Sequence, residues 1–241
     1  MAGYLGNIPS AVPLTSADIA DGIITTAKIA DGNITSTKIL DGTIVNADIN
    51  ASAGIASTKI TGLSSDWVKI AQTNVTTAVS SVDFVNGSGG VVIDSTYRIY
   101  KIFCTWRPSS NAAILSVRVA NSGTFRTADY LAETQRSYYS GGQSRANDTD
   151  RILRGIGWTQ NASEQRSNAE LTFYNMSDAT LNTTAQMLSQ AIDGSGNTED
   201  QVNNQQGGGV YSIAEAHNGI RIYMSTGNIE AGEFTLVGLK G

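Results

Sequence analysis

The chain has 241 residues, a formal net charge of −5, 40% hydrophobic residues and only 15% charged ones. The length admits one or two domains, and the acidic balance leaves no basic footprint for nucleic acid. Cys104 is the one cysteine, which excludes an intrachain disulfide and a cysteine-built metal site.

Residues 1–16, MAGYLGNIPSAVPLTS, place isolated apolar residues (Tyr4, Leu5, Ile8) among Gly3, Gly6, Pro9 and Pro13. This fits neither a helix nor a strand, and is expected to be a peptide that docks in extended form on a larger assembly. It lacks the basic and apolar regions of a signal peptide, and no apolar run approaches the length of a membrane span. Synthesis in a cytoplasm without membrane insertion is therefore expected. Triplets such as those at Asn74 and Asn161 then reflect composition, not glycosylation.

Residues 17–65 carry a repeat. Isoleucine falls at Ile19, Ile24, Ile29, Ile34, Ile39, Ile44 and Ile49, and Asp-Gly recurs at Asp21-Gly22, Asp31-Gly32 and Asp41-Gly42. One residue is inserted before the beat resumes at Ile55 and Ile60. On a helix a five-residue step scatters the isoleucines around the cylinder, and it fits neither coiled-coil period. On a strand it would flip each successive Ile to the other face, unless a turn intervenes. Asp-Gly supplies such a turn, so short extended pieces are expected, each returning an Ile to one inner line. A strip this thin must stack on itself or be buried by copies of itself around an axis. With about four and a half units and no cap, burial by copies is the expectation: a β-shaft with the isoleucines at its axis.

Residues 66–241 read as a globular β-domain. All ten arginines lie at or beyond Arg98, which marks a change of composition from the repeat. Strand-like runs include VKIAQTNV, VSSVDFV, YRIYKIFCTW, AILSVRVA, DYLAETQR, RILRGIGW, AELTFYN, TAQMLSQAI, GVYSIA, GIRIYMS and GEFTLVGL, separated by Gly/Asn/Ser turns. About ten short strands with regular turn signals predict a β-sandwich of jelly-roll type. Cys104 is expected to be a buried small hydrophobe, and Trp67, Trp106 and Trp158 to be core.

Little in this domain looks catalytic. His217 is the single histidine and is expected in a turn; no nucleophile elbow or phosphate loop is present. Gly207-Gly-Gly209 is read as a flexible connection. Two-carboxylate glycoside hydrolysis stays open as an alternative on Glu133, Asp148, Asp150, Glu164 and Glu215. The polar stretch 193–200 departs from a calcium loop at Thr198 and Asn204, so neither metal nor cofactor is expected. Receptor-binding candidates are Arg136, Tyr138, Tyr139, Gln143 and Arg145 in one long polar loop, and Asn203, Asn204, Gln205 and Gln206 in a second. Rings stack on a partner while amides and guanidinium groups supply directional donors.

The Ile/Asp-Gly/Lys-Ile repeat, the entry WVKIAQTNVTTAVSSVDFVN, the pair YRIYKIFCTWRPS and AILSVRVA, and the ending NGIRIYMSTGNIEAGEFTLVGLKG resemble bacteriophage tail-fibre proteins, the short fibres of marine and cyanobacterial phages in particular. The resemblance covers essentially the whole chain. It implies a parallel homotrimer, located in the virion tail fibre and assembled in the host cytoplasm. Residues 1–16 would attach to a tail, baseplate or adaptor protein. A C-terminal knob would bind a host surface glycan or protein without catalysis. The alternative within the same reading is a structural head or neck fibre, or a decoration protein, that binds no receptor.

Overall fold

The computed structural model describes residues 19–50, 52–55, 59, 66–138, 143–155, 161, 166–193 and 201–240, without the side chains of 46, 138, 192, 193, 201 and 202. The chain divides into two compact units, Met1–Leu63 and Ser64–Gly241. Tyr4, Leu5, Ile8, Tyr139, Trp158, Glu164 and most of the 193–200 stretch lie outside the described residues.

The repeat contains no strand among its described residues, so the expected β-shaft is corrected. Hydrogen bonds from Ile23 to Ala20, Lys28 to Thr25, Asn33 to Ala30, Lys38 to Thr35, Thr43 to Leu40 and Asp48 to Val45 (N–H to C=O, 2.9–3.2 Å) close a four-residue turn every five residues. The isoleucines stand between these turns, one after each. Turns alternate between Asp-Gly and single 3-10 turns at Thr26–Lys28, Ser36–Lys38 and Asn46–Asp48. Gly22, Gly32 and Gly42 take φ of 76°, 79° and 78°, a conformation that glycine adopts at little cost and that the third position of a type II turn demands. Only the isoleucine and its flanks stay extended, as at Ile29 (φ −113°) and Ile39 (φ −110°). The five-residue beat is thus one isoleucine plus one turn. The seven isoleucines are 38–55% exposed, and no described repeat residue is buried within the single chain.

The second unit consists of β1 (Trp67–Val75), β2 (Ser81–Val85), β3 (Tyr97–Pro108), β4 (Leu115–Asn121), β5 (Thr124–Phe125), β6 (Tyr130–Tyr138), β7 (Gln143–Asp148), β8 (Leu153–Arg154), β9 (Ser167–Tyr174), β10 (Thr184–Asp193), β11 (Gln201–Tyr211), β12 (Gly219–Met224) and β13 (Ile229–Lys240). One antiparallel sheet has the order β1-β13-β3-β9-β10-β11-β6-β7; the other has β2-β12-β4-β5, with β8 also paired to β4. Period-2 alternation turns Tyr100, Ile102, Cys104 and Trp106 of β3 inward with Leu171, Phe173, Phe234 and Leu236. They share one buried cluster with Val82, Phe84, Val117, Val119, Ile220 and Ile222 of the smaller sheet. That shared core is what joins the two sheets.

Several expectations change here. Asn203 to Gln206 and Gly207 to Gly209 form no loop; all belong to β11, paired on both sides by β10 and β6. Full ladder pairing overrides the weak strand propensity of Asn, Gln and Gly. The glycines fill a packing role, because a Cβ on Gly209 would strike the Ile152 carbonyl and one on Gly207 would lie 2.6 Å from Thr134 Oγ1. Ile152 belongs to a crossing between the sheets that is fixed to β4 by Ile152 N–H to Val117 C=O, 2.9 Å. Of the predicted 136–145 loop, residues 136–138 end β6 and residues 143–145 begin β7, with Arg136 paired to Ser144 and Gln135 to Arg145. Of RILRGIGW, only Leu153–Arg154 is strand among the described residues. Trp106 is core, whereas Trp67 is exposed on the edge strand β1.

Candidate functional site

The smaller sheet covers only one side of the larger one. On its outward face, six adjacent strands from β13 to β6 enclose a groove of about 800 Å³, within the ~300–1,000 Å³ of ordinary ligand sites. Strand register sorts the outward-facing lining residues into two rows, with the buried Cys104, Ala169, Ser189 and Gln205 between them. Thr235, Phe103, Glu170, Leu188, Gln206 and Gln135 stand opposite one another in sequence across β13, β3, β9, β10, β11 and β6. Two residues further along each strand runs a second row: Glu233, Thr105, Asn168, Gln190, Asn204 and Ser137. At a strand spacing of 4.7–4.9 Å the groove extends roughly 24 Å across the sheet.

The first row is mixed and the second wholly polar. Phe103 and Leu188 are 47% and 60% exposed although the same strands supply the core on their other face. Gln190 Nε2 donates to Asn204 Oδ1 at 3.0 Å, bridging β10 and β11. Gln72 Nε2 of β1 donates to Glu233 Oε1 at 2.8 Å. Lys101, one rung outside the groove, donates to Glu170 and lies 5.4 Å from the centre of the Trp67 ring. Among the lining residues there is no cationic side chain.

The structure separates the receptor-binding candidates. Asn204 lies in the groove, and Gln143 and Arg145 extend its two rows onto β7. Gln143 Oε1 accepts from Gln135 Nε2 at 3.0 Å, and Arg145 lies 3.7 Å from Glu133. Arg136, Asn203 and Gln205 have buried side chains; strand alternation turns them to the inner face. That burial is the physical reason they do not share one exposed loop with the others. Tyr138 ends β6. Sequence reasoning missed Phe103, Glu170, Leu188 and Gln190. A signal existed for the first: alternation in IYKIFCTW sets Phe103 beside Lys101 and Thr105, opposite Ile102, Cys104 and Trp106.

The candidate acids among the described residues, Glu133, Asp148, Asp150 and Glu215, are engaged by arginines. Arg126 holds Glu215 through two hydrogen bonds of 2.7 Å, which lowers the Glu215 carboxyl below its ordinary range. Asp150 is likewise lowered, chiefly by Arg151, while burial raises Asp148. Arg151 Nε lies 3.0 Å from Asp148 and 2.7 Å from Asp150. His217 precedes β12 as expected, but its side chain is fully buried. Its Nδ1 is 2.8 Å from Thr183 Oγ1 and its Nε2 3.3 Å from Glu215 Oε1, and burial lowers it to about 4. Cys104 is buried and its thiol is pushed up to about 12 by that burial. Among the described residues, no group of three or more His, Cys, Asp or Glu could hold a metal ion. Nor is any helix there long and apolar enough to cross a membrane. No protein-family model matches the chain. No curated protein matches it in sequence.

Proposed function

We propose that this chain is a bacteriophage virion fibre that attaches a particle to its host. Residues 1–16 dock on a tail, baseplate or adaptor protein, the repeat assembles three parallel copies, and the β-sandwich unit binds a host surface receptor. The observation that carries the reading is the exposure of every isoleucine in the described repeat of a single chain. A regular series of exposed apolar side chains points to an interaction surface, and copies around a common axis bury such a series without a cap. The groove on the uncovered sheet supports the receptor-binding half, because it combines exposed apolar side chains with convergent amides and hydroxyls.

Adhesion by this route is multivalent. Three weak sites on one fibre, and several fibres on one particle, raise avidity by about 10² to 10⁴ when geometry permits simultaneous contact. The test is competition. The purified full chain at saturating concentration should block adsorption of the phage that carries it; normal adsorption would refute the receptor role. The free chain should need no metal or cofactor to compete.

A further inference from the structure

Resting on the receptor-binding reading, we infer that the groove of the eight-stranded sheet takes a neutral, hydroxyl-rich saccharide chain and discriminates against anionic ones. The two rows of the groove differ in chemistry. An amide both donates and accepts, as a hydroxyl does, so Asn168, Gln190 and Asn204 match the edge of a sugar ring whichever way its hydroxyls turn. Phe103 and Leu188 stand in the other row, two strands and roughly 10 Å apart. They offer apolar ground to the C–H faces of successive rings. A chain lying across the strands therefore meets polar partners along one edge and apolar ones beneath.

Charge decides the class. The lining holds Glu170 and Glu233 and no cation. Among the described residues, cations stand only at its margins: Lys101 is bound to Glu170, Arg107, two residues beyond Thr105, pairs with Glu230, Arg145 at the far end faces Glu133, and exposed Arg166 stands two residues before Asn168. A uronate or sialate chain would bring carboxylates against two glutamates, with Arg107, Arg145 and Arg166 all outside the lining, a repulsive arrangement of the kind that sets specificity. Two other occupants fit less well. A peptide adding itself as a strand needs an open edge, but these six strands are each paired on both sides. A second copy of the chain would bury rows of Gln, Asn and Glu, whereas lasting subunit contacts have apolar centres.

Isothermal titration of the full chain tests this with maltotetraose, cellotetraose and tetra-N-acetylchitotetraose as neutral probes and tetragalacturonate as the anionic one. At least one neutral probe should bind, and tetragalacturonate should bind at least about tenfold more weakly. Phe103→Ala and Asn204→Ala, both changes of exposed side chains, should each weaken the neutral probe about tenfold or more. Leu131→Ala, exposed on β6 outside the lining, should leave it unchanged. Preference for tetragalacturonate, failure of all three neutral probes, or affinity untouched by both groove variants would overturn the inference. So would a change in oligomeric mass caused by the groove variants, which would identify the face as a contact between copies. Retention on host cells, measured in parallel, separates the two levels. Retention that survives both groove variants refutes the groove while adhesion stands; a parent chain that host cells do not retain refutes adhesion itself.

Discussion

Lowering the pH from 8 to 5 should cost the sandwich about 2 kcal/mol of stability through His217 alone. The ring is fully buried, and burial lowers it from an ordinary 6.5 to about 4, with the attraction of Glu215 only partly offsetting that effect. An unfolded chain thus binds a proton at this residue below pH 6.5, which the folded chain refuses until about pH 4. Stability contributed by the neutral ring is complete above 6.5 and is lost as the pH falls through that window. At one pH unit worth about 1.4 kcal/mol, the loss approaches 2 kcal/mol by pH 5 and 3 kcal/mol by pH 4. His217 is the only histidine, so no other imidazole shares the window. The raised Asp148 carboxyl acts in the opposite sense, which makes a variant the proper reference. Urea unfolding of the parent and His217→Gln at pH 8 and pH 5 measures the difference. The parent should lose about 2 kcal/mol more than the variant. Equal losses would show that the buried imidazole is not the titrating group.

Gly209→Ala should destabilise the sandwich by about 1–3 kcal/mol or more, read by the same unfolding assay, because its Cβ meets the anchored Ile152 carbonyl. Cys104 should resist a thiol reagent in the native protein and react fully in urea, since it is buried with its thiol pushed up to about 12. Ile34→Asp should prevent assembly of the full chain, because in the proposed trimer it would bring like charges together at an apolar axis at several kcal/mol per ion. Light scattering should then return the mass of one chain where the parent returns three. Unchanged mass and stability would show that the isoleucines do not face one another.

Legibility in the sequence followed the strength of local pattern. The β-class of residues 66–241 was readable because alternation in runs such as IYKIFCTW and AELTFYN is set by burial of one face, and β3 and β9 bear it out. β11 was not readable. Its Asn-Asn-Gln-Gln-Gly-Gly-Gly run lacks strand formers, and its conformation comes from β10 and β6 on either side. The repeat showed its period but not its geometry, since the turns at Thr26–Lys28, Ser36–Lys38 and Asn46–Asp48 carry no Asp-Gly signal, and each closes by a backbone hydrogen bond, joined in the third by Val45 N–H to the Asp48 carboxylate. The groove was hidden for a different reason. Its rows run across six strands distant in sequence, so only register brings Phe103, Leu188 and Asn204 onto one face. Asn204, Gln143 and Arg145 were selected for their chemistry, while Arg136, Asn203 and Gln205 have the same chemistry on the buried side of β6 and β11.

A fibre that carries a virus particle to its host must be found on that particle. Electron microscopy of the particles, labelled with antibody against the sandwich unit, tests it most directly. Label on fibres of the tail is expected; unlabelled particles, or label confined to the head or neck, would refute the proposed attachment fibre.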